Sequence, residues 1–205
     1  MHRIDHIIFD IGRVLLDYDP APAFQKLIPN PVQRHKFLTE VCSSAWNLEQ
    51  DRGRSWPDAE AALIAQHPAQ ATLIRAFRTN WHAMIGPPID DNVALLRRLI
   101  AAGRDVTLLT NFAADTFEEA LAGWPFLIEP RGAAVSGRLG IIKPDSAIYQ
   151  HHARTFGLVP ERTLFIDDNA QNVIGAQTCG WHALRFTNAA TLQADLAAFD
   201  LLSKL

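Results

Sequence analysis

Three short, uninterrupted apolar runs, each stopped by polar residues, constrain this chain more than any other feature. Ile7-Ile8-Phe9 ends at Asp10, Val106 to Leu109 at Thr110-Asn111, and Leu164-Phe165-Ile166 at Asp167-Asp168. Apolar runs of this length without alternation suit strands buried on both faces of a parallel sheet. Helical patterns separate them, so the expected fold is α/β, a Rossmann-like parallel sheet sandwiched by helices and joined by right-handed crossovers.

The connecting segments carry their own signals. From about Tyr18 to Pro88 strand-like runs disappear, and Pro, Ala, Gln, Trp and charged residues read as several helices. Asn30-Pro31 reads as an N-cap and first-turn proline opening a helix through Phe37, Leu38 and Val41. Ser55 and Asp58 form a capping pair, Leu73, Phe77, Trp81 and Met84 a packed face, and Gly86-Pro87-Pro88 a terminator. Beyond it, Asp91 is expected to cap a helix carrying Val93, Leu96 and Ile100, with Gly103 past its end. A helix over Asp115 to Ala122 follows, then weaker strand signals near Phe126 to Ile128 and Ala133 to Val135. Lys143-Pro144-Asp145 opens a helix ending at Gly157, and Val173 to Cys179 forms another, closed by Gly180. Ala183 to Phe186 reads as the last strand and Leu192 to Leu202 as a terminal helix. The organisation expected is a core domain from 1-17 and 88-205 and a helical insert over 18-87, placed where a lid over the first strand would sit.

Bulk properties exclude several classes. At 205 residues and 48% hydrophobic the chain can bury a full core, and a net charge of -3 gives no basis for nucleic acid or an anionic membrane as partner. No apolar stretch reaches membrane-spanning length, and the N-terminus lacks the apolar core of a signal peptide, so a cytoplasmic protein is expected. Cys42 and Cys179 have no metal-ligand spacing and read as buried thiols rather than a disulfide. Monomer and homodimer both stay open.

The ends of parallel strands share one sheet edge, where open α/β sheets bind ligands. Asp10 alone could be a turn residue, with Gly12 letting the backbone turn sharply. Together, however, Asp10, Thr110-Asn111 and Asp167-Asp168 converge there, and Lys143 at a helix start can reach the same edge. Three clustered carboxylates repel one another unless a cation joins them. Hard oxygen ligands with room for water suit Mg²⁺, and three aspartates, one lysine and one Mg²⁺ sum to zero charge. Without the ion, each like-charge pair near 4 Å costs about 4 kcal/mol at an effective dielectric of 20. A phosphate dianion is therefore expected to need the metal.

FDIGRVLLDYD, LLTN, GIIKPD and FIDDNAQNVIGA, in this order, resemble the four motifs of the haloacid dehalogenase-like (HAD) hydrolases. The match spans the chain, with the helical insert where C1-capped members carry their cap. It is most similar to the bacterial sugar-1-phosphate phosphatases and the phosphatase-like domain of epoxide hydrolases. The resemblance implies a Mg²⁺-dependent phosphatase acting on a small phosphorylated metabolite, the sugar phosphate class favoured. Asp10 becomes the nucleophile that forms an aspartyl-phosphate, and the Gly12 carbonyl a metal ligand. Thr110 and the Asn111 backbone become phosphate ligands, and Lys143 a partner of both nucleophile and phosphoryl group. Asp168 ligates the metal directly, Asp167 through water, and Asn172 orients the acidic pair.

One position departs from that pattern. Most phosphatases of this superfamily carry aspartate two residues after the nucleophile as general acid, whereas this chain has Gly12. Arg13 cannot replace it, because a guanidinium does not exchange its proton near neutral pH. A sugar-1-phosphate or another activated ester would suffer least, because its leaving group needs less protonation; a residue of the insert, or Asp17, is a further candidate to supply the proton. Gly12 also motivates a non-catalytic phosphate-ligand binder as an alternative. A 2-haloacid dehalogenase is the other, disfavoured by two adjacent acids near a carboxylate substrate. His151-His152 adjoin on one helix, point apart and read as surface or partly buried. Trp46, Trp56 and Trp81 read as insert core or a pocket wall, and Asp51-Arg52 as a solvated loop or one reaching the cleft.

Overall fold

The computed structural model describes residues 3–202. Strand β1 (His6–Phe9) leads into a loop and a short strand β2 (Leu16–Tyr18). Six helices follow: α1 (Pro20–Ala23), α2 (Pro31–Lys36), α3 (Ser44–Asp51), α4 (Trp56–Gln66), α5 (Ala71–Thr79) and α6 (Trp81–Met84). Strand β3 (Ile85–Pro88) returns antiparallel to β2. The alternating part then runs α7 (Asp90–Ala101), β4 (Asp105–Thr110), α8 (Ala114–Gly123), β5 (Ala133–Val135), α9 (Ser136–Leu139) and α10 (Ser146–Phe156). It ends with β6 (Thr163–Asp167), α11 (Ala170–Thr178), β7 (His182–Arg185) and α12 (Ala189–Ala198).

The main sheet has the order β5-β4-β1-β6-β7, and every pairing in it is parallel. Alternation within β1 explains why its run is apolar throughout. Ile7 and Phe9 pack with Leu96 and Leu99 of α7, Phe117 of α8 and Leu196 of α12, while Ile8 faces Ile148 and Tyr149 of α10 and Ala176 of α11. Both faces are thus covered, and β1 lies at the centre with β4 and β6 on either side. The three polar strand ends consequently lie side by side.

The helical segment between β2 and β3 has an apolar core of its own. Phe24, Phe37, Trp56, Ile74, Phe77 and Met84 form it, and Ala113 of the sheet region joins it at the base. Its caps follow local chemistry: Asn30 accepts from the Val32 and Gln33 N–H groups, and Ser55 from Asp58 N–H while its hydroxyl donates to the Asp58 carboxylate at 2.6 Å.

Several expectations are corrected. Phe126–Ile128 is not a strand: Pro125 lacks an N–H to pair, and Pro125–Ile128 winds as a 3₁₀ turn that still buries Phe126 and Leu127. Gly86-Pro87-Pro88 does not only end the insert, since it belongs to β3, a two-stranded pairing in which prolines are tolerated. The helix opened at Asn30 changes to a π-helical turn over Phe37–Val41. Asp91 does not cap α7, which starts after Ile89; it lies in the first turn, where its charge suits the helix dipole. Leu73, Phe77, Trp81 and Met84 do not share one face, because α5 ends at Thr79 and Trp81 turns to the sheet core beside Phe112. His152 is fully buried rather than partly so: its Nε2 lies 2.9 Å from Thr107 Oγ1, and burial lowers its pKa to about 3. Cys42 is buried, Cys179 is half-buried, and both are free thiols. Among the described residues, no helix is long and apolar enough to cross a membrane.

Candidate active site

Asp10 follows β1 directly and is fixed at both ends of the residue. Its N–H donates to Ile166 O of β6 at 2.9 Å, and its Oδ1 accepts from Ile11 N–H at 2.7 Å. The chain then reverses through a tight loop in which Leu15 N and Leu16 N both donate to Ile11 O. The residue that takes the left-handed conformation in this sharp turn is Arg13 (φ 58), next to Gly12. Gly12 keeps an ordinary φ, and a Cβ built on it would meet nothing within 4 Å.

Lys143, just ahead of the Asp145-capped helix α10, reaches under the sheet edge and is fully buried. Its Nζ lies 2.9 Å from Asp10 Oδ1 and 2.7 Å from Asp167 Oδ2, and it donates to Leu109 O at 3.0 Å. All three ammonium protons therefore have acceptors. Burial alone would lower the Lys143 pKa, but Asp10 and Asp167 outweigh it and hold the ammonium above the ordinary lysine value. Asn111, at the end of β4, fixes the lysine backbone from both sides: its amide donates to Lys143 O at 3.0 Å and its Oδ1 accepts from Lys143 N–H at 2.8 Å.

The two acids after β6 are not equivalent. Asp167 is fully buried, and its oxygens are taken by Lys143, the Asn169 N–H at 2.8 Å and both Asn172 amide contacts at 3.0 Å. Asp168 is half-buried and lines the open cleft with Asp10. Asn172 thus orients Asp167 alone rather than the pair. Ligand oxygens of Asp10, Asp167 and Asp168 lie within 4.8 Å of one another. Burial, with Asp167 adding repulsion, pushes Asp10 up to about 7 against the pull of Lys143, and the same causes raise Asp168. Three carboxylates against one ammonium leave an excess of negative charge, and an all-oxygen donor set of this kind fits Mg²⁺.

Above these groups opens a cleft of about 260 Å³. Its floor includes Asp10, Gly12, Asp168 and Asn172, and its wall is aromatic, formed by Tyr18, Trp56, Trp81 and Phe112. The insert adds Ser44, Asn47 and Asp51 from α3. Thr110 is buried at the end of β4 and does not line the cleft, whereas Asn111 does. Asp51 and Arg52, adjacent in sequence, separate: Asp51 faces the cleft and Arg52 is exposed, 3.7 Å from Glu49.

The backbone of this assembly superposes on a HAD family enzyme from Bacteroides thetaiotaomicron, solved with magnesium and inorganic phosphate. The TM-score is 0.71 at 19% identity, over 90% of this chain and 94% of that one. The fold is that of the HAD family enzymes. The chain is also 29% identical over 187 residues to a sesquiterpene phosphatase of Aspergillus oryzae, 89% of each protein. Over shorter stretches it is 33% identical to a phosphoserine phosphatase of Thermus thermophilus, covering 53% of this chain and 43% of that protein. It is 29% identical to an (S)-2-haloacid dehalogenase of Pseudomonas putida, covering 46% and 42%. No family model matches the chain.

Two features of the site were not legible in the sequence. Nothing in LLTN indicates that the Asn111 side chain, rather than only its backbone, fixes Lys143. Ser136 carried no signal either, although it is fully buried, accepts from Phe112 N–H at 2.9 Å and donates to Asp51 O at 2.5 Å.

Proposed function

We propose that this protein is a Mg²⁺-dependent phosphatase that hydrolyses a small phosphorylated metabolite through an aspartyl-phosphate on Asp10. The observation that carries this reading is Asp10 beside Lys143, with Asp168 facing the same cleft. The phosphatases among the relatives support it.

Each group has a task. The Asp10 carboxylate that attacks phosphorus is oriented by Ile11 N–H on its Oδ1, and the Asp10 backbone N–H donates to Ile166 O at the strand end. Lys143 keeps Asp10 in place and offers positive charge toward the phosphoryl oxygens as they gain charge. The backbone N–H of Asn111, which lines the cleft, is assigned to those oxygens, whereas Thr110 is buried away from the cleft lining. Asp10, the Gly12 carbonyl and Asp168 would hold Mg²⁺, with Asp167 as an outer acid kept in position by Asn172. When bound, the ion supplies the charge that lets a dianion enter an acidic cleft. The insert over 18-87 serves as a cap over the core of 1-17 and 88-205, and its α3 residues Ser44, Asn47 and Asp51 would select the alcohol portion of the ester.

The sugar phosphate class is favoured by the hydrogen-bonding groups of α3 against an aromatic wall. A monophosphate of an apolar alcohol is the second reading, supported by Tyr18, Trp56, Trp81 and Phe112 and by the Aspergillus relative. A phosphate-release screen across sugar phosphates, nucleotides and a prenyl phosphate, with and without Mg²⁺, tests both. Turnover that requires the ion and falls on the order of 10⁴-fold or more in Asp10→Asn is expected. Halide release from 2-haloacids without metal, or undiminished phosphate release from Asp10→Asn, would overturn the proposal.

A further inference from the structure

We propose that Asp51, brought into the cleft by the helical insert, is the acid that protonates the departing ester oxygen, a catalytic role for which Gly12 has no side chain. This rests on the phosphatase reading. It answers which group donates the proton when the position two residues after Asp10 holds only hydrogen.

Geometry restricts the choice. Of the protonatable groups lining the cleft, Asp10 is committed to phosphorus and Asp168 belongs to the acidic floor. Asp17 is exposed and its Oδ1 accepts from Tyr18 N–H at 2.9 Å. Arg13 does not give up a proton near neutral pH. Burial, with Asp51 adding, raises the Tyr18 hydroxyl above its ordinary range, so that proton is held too tightly. No histidine lines the cleft among the described residues.

Asp51 has the opposite character. It closes the C-terminal end of α3, and its backbone carbonyl is tied by Ser136 Oγ to the sheet region. Two residues on, Gly53 (φ +102) passes so close that a Cβ there would lie 3.2 Å from Gly137 O. The insert is therefore in tight contact with the core where Asp51 enters. Its carboxyl receives the Ala113 N–H and the Asn47 amide at 3.5 Å, and among the described residues no arginine or lysine pairs with it within ion-pair distance. Tyr18 from β2 and the more distant Lys143 are the titratable groups that act on it. Burial pushes its pKa up to about 7, where a carboxyl can both donate and accept a proton at working pH.

The chemistry balances. As the Asp10 Oδ–P bond forms and the ester P–O bond breaks, the Asp51 proton moves to the leaving oxygen and releases the alcohol. The Asp51 carboxylate then takes a proton from water as the water oxygen attacks phosphorus and the Asp10–P bond breaks. Phosphate leaves, and both aspartates return to their starting states.

Rapid-mixing kinetics on the full chain with Mg²⁺ test this, using p-nitrophenyl phosphate, whose leaving group needs no proton, and an alkyl phosphate, whose leaving group does. Asp51→Asn should retain a burst of p-nitrophenolate within about 5-fold of the wild-type rate, but lose about 10²-fold or more on the alkyl ester. Because the second step also lacks its base, phospho-enzyme should accumulate after the burst, visible by intact mass. Equal slowing of both esters, no slowing of either, or no accumulated phospho-enzyme would overturn the assignment. Should the amide variant not fold, Asp51→Ser gives the same comparison. A wild type that releases no p-nitrophenolate fails the phosphatase reading itself, which separates the two outcomes.

Discussion

The Lys143 ammonium sits 2.9 Å from the Asp10 carboxylate in a setting from which solvent is excluded around the lysine. The pair is therefore structural as well as chemical. Replacing Lys143 with Met leaves Asp10 and Asp167 facing each other without their shared cation. The expected loss is about 3–5 kcal/mol in urea unfolding of the metal-free protein at neutral pH. The loss should shrink in acid, where protonated carboxyls no longer need the ammonium. A loss independent of pH would contradict this account of the pair.

Metal and pH should be linked. Burial raises Asp10 from 3.8 to about 7, and a carboxyl whose folded pKa is raised favours the folded state while protonated. Its contribution is complete below the unfolded value and is lost as pH rises toward 7. Metal-free protein should accordingly lose stability from this group between about pH 4 and 7, while Mg²⁺ binds only the ionised carboxylates. Thermal unfolding with and without Mg²⁺ should show a larger metal-induced rise at about pH 7.5 than at about pH 5. A larger rise in acid would be inconsistent with Asp10 and Asp168 as ligands.

Gly12→Asp should fold. The backbone there is not left-handed, and the new Cβ enters open space. With Mg²⁺ present, stability should change by no more than about 0.5 kcal/mol, as at other unobstructed positions. In the Asp51→Asn background the added carboxyl should restore about 10-fold or more of the turnover of alkyl esters. Chemical denaturation and steady-state kinetics on the same samples check both halves.

Gly137→Ala tests how tightly insert and core are joined. A Cβ on Gly137 would lie 2.6 Å from Ala114 N and 2.7 Å from Phe112 O, both backbone atoms. The expected cost is about 1–3 kcal/mol. Phe112 N–H bonds to Ser136 Oγ, which holds Asp51, so turnover of alkyl phosphates should fall more than that of p-nitrophenyl phosphate. Unchanged thermal stability would show that the loop shifts freely.

The sheet was legible because its signal is local. Each of the three buried runs declares itself by unbroken apolarity, and the polar residues that stop them must share an edge once the strands are parallel. Asp10, Lys143, Asp167 and Asp168 could therefore be grouped from the chain alone, as could the insert, whose composition changes at both borders. What the chain did not declare depends on which atoms meet across distant segments. The β2–β3 pairing hides in Gly86-Pro87-Pro88, because proline reads as a terminator unless a partner strand is known. The division of labour between Asp167, saturated by Lys143, Asn169 and Asn172, and Asp168, left facing the cleft, is invisible in two adjacent identical letters. Asp51 and Arg52 likewise differ only by the direction in which the end of α3 turns them. Sequence determined the layered α/β architecture and the chemical types at the strand ends, since hydrophobic periodicity and strand polarity act within a few residues. Tertiary structure decided which carboxyl is shielded, which is open and which holds its proton near neutrality, since those depend on burial and neighbours that only packing supplies.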